Sequence, residues 1–233
     1  MIVIKKKQVL IISVLLATIF TFVLCVGAIV GRPASGATAS KVKIVLDAGH
    51  GGIDGGVLGS LTGVKESELN LKVVKKLEKY LINAGMSVTL TRNSDSGLYG
   101  VATSNLKKKD MQRRKEIIED VNPDLVVSVH MNKYSLTTRR GAQVFYKQSN
   151  ENSQLLAMQI QKSFNEMQEA SRECSILTGD YYILNCTQYP SVIAECGFLS
   201  NNQDELLLVT DEYQEKIAYA IFKGIVGYLA NSL

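Results

Sequence analysis

Hydrophobic residues follow two alternating patterns from residue 41 to the carboxyl end. Short apolar runs rich in Val, Ile and Leu are typical of buried strands, and the longer segments between them have apolar residues every three or four positions, which is the spacing of a helix. The runs that predict strands are KVKIVLDA, SVTLTR, DLVVSVHMN, GAQVFYK, DYYILNC and SVIAECGF. The segments that predict helices are ESELNLKVVKKLEKYLINAG, KKDMQRRKEIIEDVN, NSQLLAMQIQKSFNEM and a long stretch from about residue 203 to 229.

This alternation predicts the fold class. Strands separated by helices of this length form α/β structures, and we expect a mostly parallel central sheet flanked by helices on both faces. In such sheets, ligand sites form beyond the carboxyl ends of the strands. Chemistry is therefore expected at residues that directly follow the apolar runs.

The first 40 residues have a different pattern. Residues 9–30 are apolar and uncharged, and Lys5, Lys6 and Lys7 precede them. A run of this length can span a bilayer, and a lysine cluster on its amino side predicts that the rest of the chain is exported. We interpret residues 1–30 as a membrane-targeting segment, either a signal anchor or a cleaved signal peptide. Residues 31–40 are then a linker, and residues 41–233 form one domain outside the cytoplasm.

The excess positive charge is confined to that amino-terminal part. The chain has 26 Lys and Arg against 22 Asp and Glu, and residues 1–40 contain four of the basic residues and none of the acidic ones. The remainder is balanced at 22 to 22. Proteins that bind nucleic acid usually carry a basic patch, so this balance argues against a nucleic-acid partner.

Both histidines of the chain are predicted at one edge of the sheet. His50 follows the first strand in the glycine-rich stretch IVLDAGHGGIDGG, and His130 lies at the end of DLVVSVHMN. Two histidines can hold zinc if a third nitrogen or carboxylate ligand joins them. Glu66 and Glu68 begin the next helix, and helical geometry turns Glu66 toward the sheet and Glu68 toward solvent. No C-x-x-C pair offers a cysteine-rich zinc site instead.

A further carboxylate, Glu195, follows the apolar residues PSVIA in the last predicted strand. A carboxylate in apolar surroundings costs free energy unless it is paired, linked to a metal or protonated. We interpret Glu195 as a general base, with a buried ion pair as the alternative. For His50 and His130 the alternative is a hydrogen-bonded histidine of the core. For Glu66 the alternative is an acidic residue that the helix dipole stabilises. The convergence of these residue types at one edge of the sheet favours a functional site.

Other polar residues are candidates for binding a substrate. Asn132 lies just past a predicted strand end, where the alternative is a simple turn. Arg92 could bind carboxylates of a ligand. Arg113 and Arg114 are expected to be solvated charges on a helix.

One set of motifs resembles those of the zinc-dependent N-acetylmuramoyl-L-alanine amidases, in that family's order and spacing: DAGHGGIDGG, KESELNL, TR with Asp95, SVHMN, GAQVFY and AECGFLSN. The resemblance extends from about residue 43 to the carboxyl end, and within the family the short, germination-specific enzymes of the spore cortex are most similar. It implies a zinc-amidase fold of the phosphorylase/hydrolase type and a Zn²⁺ cofactor. It also implies site residues: His50, Glu66 and His130 as zinc ligands and Glu195 as the catalytic glutamate. Cys196 departs from the pattern, since many relatives have threonine at that position.

The resemblance further implies an activity on peptidoglycan. The amide bond between N-acetylmuramic acid and the L-alanine of the stem peptide would be cleaved, in the cell wall or the spore cortex. A zinc peptidase acting on stem peptides and a catalytically silent wall-binding module are the alternatives. A metal-free glycosidase using Glu66 and Glu195 would leave both histidines without a function. No wall-binding repeats are present, so the membrane segment or an adaptor protein is expected to bring the enzyme to its polymer.

Overall fold

A six-stranded sheet forms the centre of the fold in the computed structural model, which describes residues 41–167 and 173–232. The strands are β1 Lys43–Ala48, β2 Ser87–Leu90, β3 Leu125–Asn132, β4 Gln143–Tyr146, β5 Leu177–Thr178 and β6 Ser191–Phe198. The helices are α1 Glu66–Asn83, α2 Leu106–Val121, α3 Glu151–Asn165, α4 Tyr182–Asn185, α5 Asn202–Leu208 and α6 Asp211–Ser232.

The strand order is β2-β1-β3-β6-β4-β5. All neighbouring strands are parallel except β4 and β6, which are antiparallel. This arrangement confirms the predicted α/β class with a mostly parallel sheet. Because β1, β3 and β6 are central and parallel, their carboxyl ends lie at the same edge, where the sequence predicts the site.

Helices cover both faces of the sheet, as predicted. On one face, Ile44 and Leu46 of β1 belong to a core that includes buried residues of α1, α3 and α6. On the other face, Val45 packs in a smaller core with Ile118 of α2 and Ile183 of α4. Strands buried on both faces are continuously apolar, which explains why these runs do not alternate with polar residues.

One predicted strand is wrong, and one predicted helical stretch contains a break. The run DYYILNC is not a strand, because Tyr182–Asn185 forms the short helix α4. A short apolar run is equally consistent with a buried strand or one helical turn, and here Ile183 and Leu184 are both buried. The long carboxyl-terminal helix is divided into α5 and α6, since the Thr210 hydroxyl accepts a hydrogen bond from the Tyr213 amide and caps the second helix.

The predicted membrane-targeting segment and linker lie outside the described residues. Among residues 41–167 and 173–232, no helix is both long and apolar enough to cross a bilayer. The anchor and the domain boundaries stay predictions.

Candidate active site

Four predicted site residues come from four different elements at the carboxyl edge of the sheet. His50 lies in the loop after β1, His130 lies near the end of β3, and Glu195 lies in β6. Glu66 is the first residue of α1, where the helix dipole favours an ionised carboxylate. The register of β3 and β6 places Glu195 directly beside His130. The fold therefore brings together residues that are up to 145 positions apart in the sequence.

Glu66 lies at the centre of this cluster and is only 2% exposed. Its Oε1 is 3.2 Å from His50 Nε2 and 2.9 Å from His130 Nδ1. The backbone amides of Met131 and Val57 donate to its two oxygens at 3.2 and 2.9 Å. One ligand atom from each of His50, Glu66 and His130 lies within 4.8 Å of the others. Two imidazole nitrogens and a carboxylate oxygen form a donor set that zinc prefers.

Electrostatics keep Glu66 ionised. Burial alone would raise the pKa of this carboxyl, but its hydrogen bonds with His130 and His50 outweigh burial and lower the pKa well below its usual value. Metal ligands must be deprotonated, so an ionised Glu66 is suited to hold a cation.

Asp54 orients His50 and was not singled out from the sequence. Its Oδ1 lies 3.0 Å from His50 Nδ1, on the opposite side of the ring from Glu66. A proton on Nδ1 that is donated to Asp54 directs Nε2 toward Glu66, and Nε2 could bind a metal once its own proton is displaced. The sequence contains one signal for this role: Asp54 follows the candidate ligand His50 by four residues within GHGGID.

Two glycines leave room for the ligand side chains. A Cβ at Gly49 would overlap the ring of His130, and a Cβ at Gly56 would lie 2.8 Å from His50 and collide with the Glu66 carboxylate. Gly56 also has a φ of 69°, which glycine adopts at little cost. The glycine-rich stretch thus accommodates the predicted ligands.

Glu195 has a buried oxygen, Oε2, without a hydrogen-bond partner among the described residues. Burial raises the pKa of this carboxyl to about 7, with His130 opposing the rise and Glu66 reinforcing it. A group that titrates near neutrality can both accept and donate a proton at the working pH.

A cleft of about 620 Å³ opens over the cluster. Glu195 and Asn132 both line it, so Asn132 is placed where a substrate would lie. The remaining lining includes aromatic, apolar and basic side chains, among them Tyr99, Lys107, Lys133, Tyr181, Tyr182 and Ile183.

Two of the three candidate arginines are placed differently from the expectation. Arg92 is 4% exposed and donates to the carbonyls of Ala48, Gly49, Ser67 and Ser94. This placement favours a role in holding the backbone over the predicted role in substrate binding. Arg113 is exposed and pairs with Glu116, as expected. The expectation of a solvated Arg114 is wrong, because its side chain is buried and makes ion pairs with Asp47 and Asp110.

Comparison with known proteins identifies the family. The family model for N-acetylmuramoyl-L-alanine amidase matches residues 44–226. The germination-specific N-acetylmuramoyl-L-alanine amidase of Bacillus subtilis is 34% identical over 189 residues, which are 79% of this chain and 78% of that protein.

Solved structures agree with this result. The CwlD amidase of Clostridioides difficile, determined in complex with the GerS lipoprotein, is 37% identical with a TM-score of 0.79, over 82% of this chain and 100% of that one. The catalytic domain of the amidase CwlV from Bacillus (Paenibacillus) polymyxa is 28% identical with a TM-score of 0.70, over 81% and 98%. The chain therefore belongs to the N-acetylmuramoyl-L-alanine amidase family, whose members hydrolyse the bond between the muramic acid of peptidoglycan and the L-alanine of the stem peptide.

Proposed function

We propose that this amidase is zinc-dependent, that His50, Glu66 and His130 hold the ion, and that Glu195 transfers the proton. The observation that carries the proposal is the convergence of three ligand atoms within 4.8 Å of one another, beside a carboxyl whose buried oxygen has no hydrogen-bond partner among the described residues. Three protein ligands leave a fourth position open, as catalytic zinc sites require. The residues present therefore fit a catalytic zinc ion.

The proposed chemistry divides between the ion and Glu195. A bound zinc ion would supply a Lewis acid that polarises the scissile carbonyl and makes water more acidic. Glu195 accepts a proton from the attacking water and then delivers it to the L-alanine nitrogen as the C–N bond breaks. In the metal-free protein, burial raises the pKa of this carboxyl to about 7, so the site can hold a proton on Glu195 near neutrality as well as release it. Asn132, which lines the cleft, is proposed to orient the substrate.

Metal analysis tests the ligand assignment. We expect the purified chain to carry about one zinc per molecule and His130→Ala to lose it, because two ligands hold zinc poorly. Asn132→Ala is the matched control, since it alters the cleft two residues away and removes no proposed ligand. Full zinc occupancy in the His130→Ala variant would contradict the assignment.

We also propose that the chain acts outside the cytoplasm on spore-cortex peptidoglycan. The supporting observations are its similarity to a germination-specific amidase and to an amidase that forms a complex with a lipoprotein. An adaptor lipoprotein or the predicted membrane segment would then deliver the enzyme to its polymer. A strain lacking the gene should form a cortex with fewer peptide-free muramic acid residues, measured by muropeptide analysis, and unchanged cortex would contradict this role.

A further inference from the structure

Two buried arginines hold the backbone that carries His50. Arg114 of α2 donates from its terminal nitrogens to the carbonyls of Ala48 at 2.9 Å and His50 at 2.7 Å. Arg92, which follows β2, donates to the carbonyls of Ala48 and Gly49, both at 2.9 Å. Three successive carbonyls are therefore fixed by guanidinium groups, whose rigid, forked donors suit such contacts.

The conformation of His50 shows why such fixing is needed. Its φ is 61°, a left-handed conformation that is uncommon for a residue other than glycine. Such conformations persist when the surrounding structure determines them, and they concentrate at functional sites. The His50 carbonyl, held by Arg114, lies directly after this backbone angle.

Arg92 also connects the loop to the element that carries the second proposed ligand. The same terminal nitrogen that contacts Gly49 donates to the carbonyl of Ser67 at 2.8 Å. Ser67 lies in the first turn of α1, next to Glu66. A single guanidinium thus joins the His50 loop to the start of the Glu66 helix.

Arg114 connects the loop to the strand of the third proposed ligand through Asp47. Its terminal nitrogen lies 2.5 Å from Asp47 Oδ1, and the hydroxyl of Ser128 donates to Asp47 Oδ2 at 2.5 Å. Ser128 precedes His130 by two residues in β3. The ion pair of Arg114 with Asp110 anchors this connection in α2.

We infer that Arg92 and Arg114 are positioning residues that assemble the three proposed ligands before a metal binds. The inference rests on the proposed zinc site and extends it, because neither arginine supplies a ligand atom to that site. Arg92 sets the distance between His50 and Glu66, and Arg114 sets the distance between His50 and His130. Zinc affinity should therefore depend on both guanidinium groups.

Zinc affinity measured by competition with a chelator tests the inference. Arg92→Lys and Arg114→Lys keep the positive charge and remove the fork, so we expect zinc to bind about 10- to 100-fold more weakly, as for other residues that orient metal ligands. Cobalt-substituted protein should show altered absorption bands in both variants. Arg113→Lys, on the exposed side of the same helix, and the core variant Ile118→Val should keep the affinity of the parent.

The outcomes separate this inference from the proposed function. Folded lysine variants with parental zinc affinity and an unchanged cobalt spectrum would overturn the positioning role. A parent chain that binds no zinc would instead overturn the proposed function.

If the lysine variants do not fold, hydrogen exchange on the metal-free parent tests whether the loop that carries His50 is assembled before a metal binds. In the loop after β1, the amide of Gly51 donates to the carbonyl of Asp54, and the amide of Gly52 donates to the carbonyl of Asp95 in the segment after β2. Slow exchange of these amides without metal is expected for a preassembled loop. Rapid exchange would show that the loop is not assembled beforehand and would overturn the inference.

Discussion

Glu195 carries a carboxyl that burial favours in its protonated form and that the proposed reaction needs in both protonation states. Its Oε2 is buried without a hydrogen-bond partner among the described residues, and burial raises its pKa to about 7. A residue kept for its chemistry in a costly environment is expected at an active site. Replacing Glu195 should therefore lower activity and raise the stability of the fold.

Replacing Glu195 with glutamine should remove activity and keep the metal. The amide has the size of the carboxylate but accepts no proton, so turnover should fall by about 100-fold or more. The assay is release of stem peptides from purified peptidoglycan, with zinc content measured in parallel. Glu68→Gln is the control, because Glu68 lies in the first turn of α1 with Glu66 but has no proposed role. Turnover of Glu195→Gln within a few-fold of the parent would exclude Glu195 as the base.

The same substitution should stabilise the metal-free protein at high pH. The folded-state pKa of Glu195, about 7, lies above the ordinary value of 4.5, so stability is full below about pH 4.5 and falls as the pH rises through 7. By pH 8 the loss approaches about 3 kcal/mol, which Glu195→Gln removes. Urea unfolding in chelator at pH 4 and pH 8 measures this. An equal effect of the substitution at the two pH values would contradict the raised pKa.

At the level of elements, α5 holds the loop that leads into Glu66. The fully buried carboxylate of Glu205 accepts hydrogen bonds from the amide of Leu61 and from the amide and hydroxyl of Thr62. The same loop continues to Lys65, directly before α1. The short helix α5 thereby fixes the loop before Glu66, which lies about 140 positions earlier in the sequence.

Glu205→Gln should therefore destabilise the fold. The amide cannot accept all of these bonds and turns a donor toward other donors, and charged hydrogen bonds contribute roughly 1.5–3 kcal/mol each. We expect a loss of about 2 kcal/mol in urea unfolding. Glu212→Gln is the control, because Glu212 is exposed and forms a surface ion pair with Lys216, which contributes little. Equal stability of the two variants would contradict the proposal that Glu205 holds the loop before α1.

An element could be predicted from the sequence when its own residues show the environment in which it is buried. β1, β3 and β6 were recognisable because strands buried on both faces give continuous apolar runs, and parallel strands place the residues after those runs at one edge. The turn that became α4 was too short for its periodicity to distinguish helix from strand. The burial of Arg92 and Arg114 depends on carbonyls and carboxylates supplied by distant segments, so their own sequence surroundings gave no signal.

In the whole molecule, the predicted membrane segment determines whether the catalytic domain stays attached to the membrane. The described residues contain the complete proposed site, whereas residues 1–40 lie outside them. An enzyme anchored on the outer face of the membrane would be held within reach of newly made wall. A cleaved signal peptide would release the same domain.

Fractionation of the producing cells distinguishes these states. The uncharged run of residues 9–30 behind three lysines leads us to expect full-length protein in the membrane fraction after a high-salt wash. Mature protein that is soluble and begins between residues 34 and 41 would contradict the anchor. An adaptor would then be the better explanation for recruitment.

We propose that this chain cleaves peptidoglycan as a zinc-dependent amidase through His50, Glu66, His130 and Glu195. Mass spectrometry of purified peptidoglycan digested with and without a chelator tests this proposal. We predict stem peptides with a free amino-terminal L-alanine, lost when the chelator removes the metal and restored when zinc is added back. The same peptides at an undiminished rate in metal-free protein, or products cut within the stem peptide, would contradict the claim.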